Sequence, residues 1–432
     1  MFYKPASLSH ISVSLRNNLL DLEQYIEETL ERIKEVDKEV HSLLPEKNRK
    51  KRLLTEAEAL QKKFPQPNQR PPLYGVLVGI KDLFNVDGLP TKAGSKLPAA
   101  AFAGPEAAVV RRLRQAGALI LGKTVSTEFA YFSPGPTKNP FNTDYTPGGS
   151  SSGSAASVAA GLCPLALGTQ TIASIIRPAA YCGIIGFKPS FGRISTEGVF
   201  PFAQSADHVG FFTQDMAGAA LVASVLLEDW DANIRVGTKP RIFLPADAFL
   251  VQANYNAFNR FYEKVDILTD KGYEIINYPL FKDIKAINKV HRELIAAEFA
   301  LNHKELYKNY GELYSEPSRE LVEQGKKISK SALLANRALQ QTYKQSINEI
   351  MQQEGVDIWI SPSTTSSAPR GLSGTGSPLM SLPWTFAGLP SITIPAGKSS
   401  HNMPLGMQLV AGSGRDESLL QYAAELYQVI SF

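Results

Sequence analysis

Short apolar runs, each too brief for an ordinary helix, recur through most of this chain with amphipathic segments between them. "LYGVLVGIKD" (73–82), "ALILG" (118–122), "LCPLALGT" (162–169), "CGIIGFKPS" (182–190), "RIFLPA" (241–246), "VDIWISPS" (356–363) and "LPSITIPAG" (389–397) are near-continuously apolar. Strands buried on both faces read in this way. "PEAAVVRRLRQAG" (105–117) has a proline at its start and a glycine at its stop, the signature of a helix. Strands alternating with helices predict an α/β fold: a single α/β/α domain with a mixed, mostly parallel central sheet covered by helices on both faces.

Before the first strand, "DLEQYIEETLERIKEVDKEV" (21–40) sets Leu22, Ile26, Leu30, Ile33, Val36 and Val40 at three- and four-residue steps, with charges on the other face. That is an amphipathic helix. The proline-bearing "KKFPQPNQRPP" closes it, so residues 1–72 are expected to form a helical preface packed on a core of 73–432. From about 250 to 355 the pattern turns helical and charged, as a layer or insertion within that core. The Ser/Thr/Gly-rich stretch 361–378 is expected to be a loop overhanging a site.

Bulk properties narrow the function. The 45 basic and 41 acidic residues among 432 leave a net +4, too small to make nucleic acid the main partner. "EKNRKKR" (46–52) is expected to be a solvated helical face or loop. Cys163 and Cys182 lie far apart in sequence, each read as a small buried hydrophobe rather than part of a disulfide or metal cage. The N-terminal residues lack a continuous apolar signal core, and "MAGAALVASVLL" (216–227) is too short for a membrane span. A cytoplasmic monomer or homodimer acting on a small molecule, without membrane or nucleic-acid partner, is the expectation.

"PGGSSSGSAASVAAG" (147–161) carries the chemistry. A flexible linker would continue in polar residues, whereas this segment runs into alanines and a strand. A phosphate loop of the Walker type would end in Gly-Lys-Ser/Thr, and no lysine follows. A tightly held backbone remains, with serines at a helix N-terminus where free N–H groups favour negative charge. In "GTQTIASIIRPAA" (168–180), Ser174 follows a strand and a short polar turn. The N–H groups of Thr171, Ile172, Ala173 and Ser174 could converge there as an oxyanion hole. Lys81 closes a buried strand, where desolvation would make a neutral amine available as a base. Two serines and a lysine suffice for acyl transfer without histidine.

These segments resemble the amidase signature family. "GIKD", "PGGSSSGSAASVAAG" and "LGTQTIASIIRPAAYCGIIGFKPSFGR" carry the resemblance, with Ser150 and Ser174 in the family's 24-residue register. "GALILGKTVSTEFA", "SADHVGFFTQD", "FAGLPSITIPAG" and "PLGMQLVAG" extend it over most of the chain from 73 onward. The resemblance implies a Ser–cis-Ser–Lys triad: Ser174 as nucleophile, Ser150 as bridging serine after a cis bond to Gly149, and Lys81 as base. It implies hydrolysis of an amide, anilide or carbamate (urethane) C–N bond through an acyl-enzyme, with no cofactor and no metal.

The family usually places two glycines before the nucleophile, where this chain has Ile172-Ala173. Either the loop keeps ordinary dihedrals or the oxyanion hole is altered. Arg177 resembles the Ser-x-Ile-Arg-Pro variant of small bacterial amidases, in which the arginine can bind a substrate carboxylate; pairing with a structural carboxylate is the other reading. Gly149, Phe129 and Tyr131 join Arg177 as candidate substrate contacts, with core packing an equal explanation for the aromatics. Ser151, Ser152 and Ser154 are expected to be N-cap and loop hydrogen-bonders, Ser151 also to support the triad, and Asp207-His208 to form a structural pair. Two other functions fit the same motifs: the transamidation subunit of a tRNA-dependent amidotransferase, and a catalytically silent binding protein.

Overall fold

A computed structural model describes residues 1–237 and 239–431. Ten strands form one sheet: β1 (Leu77–Lys81), β2 (Leu119–Thr124), β3 (Leu165–Gln170), β4 (Ile185–Lys188), β5 (His208–Thr213), β6 (Ile242–Pro245), β7 (Ile275–Tyr278), β8 (Ile358–Pro362), β9 (Ser391–Lys398) and β10 (Pro404–Val410). Their order is β2-β1-β3-β5-β4-β9-β10-β8-β6-β7. Every residue of β1, β2 and β3 is buried, as the unbroken apolar runs require of strands covered on two faces.

The sheet is mixed, with its parallel ladders confined to the two flanks. β2, β1 and β3 run parallel at one end and β8, β6 and β7 at the other, while the five ladders from β3 to β8 are antiparallel. The expected predominance of parallel ladders does not extend through the middle. There β9 returns into β10 across a short turn, a connection open only to antiparallel neighbours. The helical stretch after residue 250 also supplies an edge strand, β7, whose partly polar "IINY" gave no apolar signal.

Helices Ser152–Ala159 and Ile176–Tyr181 pack against each other and against the sheet. Helices Met216–Leu226, Tyr255–Asp270 and Asp416–Ile430 form another layer on the strands. The expected preface helix spans Leu22–Val40 and buries Leu22, Ile26, Val36 and Val40. Arg49 and Arg52 of the basic run are not simply solvated: both meet Glu46, and Arg52 donates to the carbonyls of Ile120 and Leu121. The carbonyls at the β2 edge draw Arg52 in, and that of Leu44 holds Arg49. Among the described residues, no helix is long and apolar enough to cross a membrane.

Candidate active site

Parallel neighbours end at the same edge of a sheet, and β1 and β3 pair with Ile80 opposite Leu167. Lys81, the last residue of β1, therefore arrives beside Thr169 near the end of β3. Its Nζ donates to Thr169 Oγ1 and to Ser150 Oγ, each at 2.7 Å. Of three buried strand lysines, Lys123 pairs with Asp82 and Lys188 donates to backbone carbonyls, whereas Lys81 meets two hydroxyls. Burial pushes the Lys81 amine well below the usual lysine range, against an opposing pull from Asp207.

The small residues of 147–161 fit this corner. Gly148 has φ +82°, and the Gly149–Ser150 peptide is cis. At Gly153 a Cβ would meet the backbone of Ser42 and Val125. Ser151, Ser152 and Ser154 are hydrogen-bonders, as expected, but none caps the helix with its side chain. Their hydroxyls donate instead to the carbonyls of Thr169, Val125 and Leu167, because the helix starts against strand ends with acceptors to spare.

After β3 the chain turns through Thr171–Ile175 into the helix Ile176–Tyr181. Gln170 Oε1 accepts the N–H groups of Ile175 and Ile176. Among the described residues, the N–H groups of Thr171, Ile172, Ala173 and Ser174 have no protein acceptor. The carbonyls of this turn are engaged: His291 Nε2 lies 3.1 Å from Thr171 O, and Thr385 Oγ1 donates to Ile172 O at 2.7 Å. Neither Ile172 nor Ala173 has positive φ, so the loop keeps ordinary dihedrals without glycine. Burial lowers His291 to about 4, and His208 is likewise pushed well below the usual histidine range.

Ser174 opens on a recess of about 10 Å³ walled by Ala130, Tyr131, Phe132, Ile172, Phe202 and Pro378. A cavity of about 290 Å³ bordered by Thr169, Phe200 and Asp207 shares Ala130 and Phe202 with it. No hydrogen bond joins Ser150 Oγ to Ser174 Oγ among the described residues.

The sequence model of the Amidase family matches residues 24–420. The chain belongs to the Amidase family. It is an amidase-signature amidohydrolase, of a family that acts on C–N bonds. It is 30% identical to a glutamyl-tRNA(Gln) amidotransferase subunit of Prochlorococcus marinus (strain NATL2A), covering 96% of each chain. A crystal structure of an amidase matches with TM-score 0.88 and 30% identity, over 98% of this chain and 100% of that one. A chain of a vestigial protein complex that reveals the origins of an s-triazine catabolic enzyme matches with TM-score 0.86 and 27% identity, over 98% of each.

Several other expected contacts of this amidase are rearranged. Among the described residues Arg177 meets no carboxylate; it donates to Gly149 O at 2.7 Å and Gly376 O at 2.5 Å, with Nε buried and unpartnered. Burial lowers it to about 10, so it stays charged at neutral pH. Gly376 and Pro378 belong to the Ser/Thr/Gly-rich stretch, which does overhang the recess. Tyr131 lines the recess, but Phe129 is 1% exposed and packs among Phe102, Phe200 and Tyr314, where its apolar ring is fully covered. Asp207 and His208 do not pair: Asp207 accepts from Thr171 Oγ1 and the N–H groups of Phe202 and Ala203, while His208 Nδ1 faces the Ala206 carbonyl. Asp207 sits in the turn before β5 and is taken up by the N–H groups of that turn, so it does not reach the ring of His208 at the strand's first residue. Gln170, His291 and Thr385 hold the loop before Ser174, and sequence patterns do not single them out. Gln170 lies within the "GTQTIAS" motif, but the others reach the loop from 120 and 213 residues away.

Proposed function

We propose that this amidase hydrolyses a small amide, anilide or carbamate through an acyl-enzyme on Ser174. The observation that carries the reading is the buried Lys81 amine, depressed by desolvation and 2.7 Å from Ser150 Oγ. In its neutral form Lys81 accepts the Ser150 proton as Ser150 accepts that of Ser174. Ser174 Oγ then bonds to the carbonyl carbon, and the unengaged N–H groups of Thr171–Ser174 hold the oxyanion. Ser150 returns the proton to the leaving nitrogen, the C–N bond breaks, and water releases the acid by the same relay. The Ser174–Ser150 hydrogen bond is expected to close with substrate bound, as catalytic hydrogen bonds commonly do. Ser151, donating to the Thr169 carbonyl, steadies the strand end that carries the relay.

Arg177 supports a substrate with a carboxylate beyond its carbonyl. It is a buried cation at the recess wall with no anionic partner among the described residues, a costly arrangement unless a ligand supplies the charge. Tyr131 and Ile172 bound the acyl part and keep it narrow.

A panel of p-nitroanilides, primary amides, aryl carbamates and dicarboxylic half-amides tests this, with Ser174→Ala beside it. Half-amides should turn over fastest, and Ser174→Ala should lose about 10³-fold or more in kcat. Labelling of Ser174 by a fluorophosphonate is expected; a folded protein that stays unlabelled and inert would indicate a silent binding protein instead. The likeness to one component of an amidotransferase favours one second reading, a role in transamidation. Glutamine turnover that appears only with co-purified partner subunits would establish it.

A further inference from the structure

A cavity larger than either of those at the candidate active site lies apart from it. A groove of about 980 Å³ runs among helices Ile284–Asn302, Lys304–Tyr310, Glu316–Lys326 and Lys330–Gln353. Val322 and Leu333 form buried floor, whereas Leu301 and Leu334 stand 61% and 54% exposed at its edge. Two exposed leucines facing one concave apolar floor differ from leucines scattered singly over a surface.

Its charge is as uneven as its polarity. Lys304, Lys308, Lys326, Lys330 and Arg337 line it against a single carboxylate, Glu305, on a chain whose whole excess is four positive charges. Arg337 is held by Glu298, and Lys326 by Glu323 and the Tyr307 ring. Lys304, Lys308 and Lys330 have no carboxylate within 4 Å among the described residues. They stand on separate walls: Lys304 and Lys308 one turn apart on one helix, Lys330 at the start of another.

We infer that this groove docks an acidic amphipathic helix of a partner protein. An apolar stripe recurring every three to four residues lies along the floor and covers Leu301 and Leu334. Glutamates or aspartates bordering that stripe meet the unpaired lysines on both walls. The docking surface is separate from amide cleavage, because none of these groups borders the Ser174 recess.

The test uses the full chain and a fluorescein-labelled peptide of about 18 residues, long enough to be helical, with leucines on one face and glutamates beside them. Saturable anisotropy that weakens with added salt is expected, with no binding of the same peptide carrying lysines for glutamates. Lys304→Glu/Lys308→Glu/Lys330→Glu and Leu301→Asp/Leu334→Asp should each weaken binding about tenfold or more. Both should keep wild-type amide turnover, which shows that they fold. Absence of saturable binding, or equal binding by the charge-reversed protein, overturns the proposal. So does self-association in sedimentation that the leucine substitutions abolish, which would make the groove an interface between copies. Tighter, peptide-displacing uptake of oleate would make it a lipid site and overturn it equally.

Discussion

A lysine Nζ surrounded by hydroxyls at the end of a buried strand has an energetic consequence apart from catalysis. Burial lowers the folded pKa of Lys81 below its unfolded value, so between the two the unfolded chain binds a proton that the folded one lacks. Stability then rises with pH across that interval and is lost as pH falls through it. Lys81→Met removes the desolvated amine and its proton linkage together. Its stability curve should be shallower by about 1.4 kcal/mol per pH unit within the interval, with no loss of stability at pH 7. The same variant should lose about 10³-fold in kcat, the scale of a general base. Urea midpoints between pH 7 and 10, read beside turnover, check both. An unchanged slope would mean that Lys81 keeps its ordinary pKa, and undiminished turnover would remove it from the proposed chemistry. Lys188, lowered by burial to about 7, stays in both proteins and cancels from the comparison.

At the scale of elements, a loop without glycine keeps four N–H groups unengaged because distant side chains occupy its other polar atoms. Thr385 Oγ1 accepts from Gln170 Nε2 at 2.9 Å and donates to Ile172 O at 2.7 Å, tying both ends of the turn to helix Leu382–Phe386. Thr385→Val keeps the shape and removes the tie. It should lower kcat about tenfold with KM little changed, since the amides are needed most when the oxyanion forms. Thr385→Ser should restore the rate, and an equal loss in both would assign Thr385 to packing. Sequence reading reaches part of this arrangement. Lys81, Ser150 and Ser174 were legible because each sits in a local pattern, a strand end, a small-residue turn or a strand-to-helix connection. Strands β1, β2 and β3 were legible because double burial leaves unbroken apolar runs. Thr385 and His291 were not, since a tie across more than a hundred residues leaves no periodicity at either end. β7 escaped because an edge strand needs no apolar run, and Phe129 stayed undecided between wall and core because the two kinds of aromatic look alike in sequence.

For the whole molecule, the question is whether the N-terminal preface only covers the core or takes part in holding the site. Its connections favour the second. Asp37 caps Ser42, Ser42 O accepts the Val125 N–H, and Val125 O accepts the N–H of Gly153, three residues beyond Ser150. Leu44 N–H donates to Lys123 O, and Arg52 holds the β2 carbonyls next to it. A displacement of the preface thus reaches the helix that presents the cis peptide. Gly153→Ala probes the link, because the added methyl falls on the backbone of Ser42 and Val125, where no flexible side chain can yield. It should cost about 2 kcal/mol and lower both the thermal midpoint and kcat. Gly374→Ala is the control: it lies on the overhanging loop, has no heavy atom within 4 Å of the added methyl, and should stay within about 0.5 kcal/mol of the parent. Should the two variants melt and turn over alike, the preface merely covers the core. A loss confined to Gly153→Ala would make residues 37–44 part of the support for Ser150.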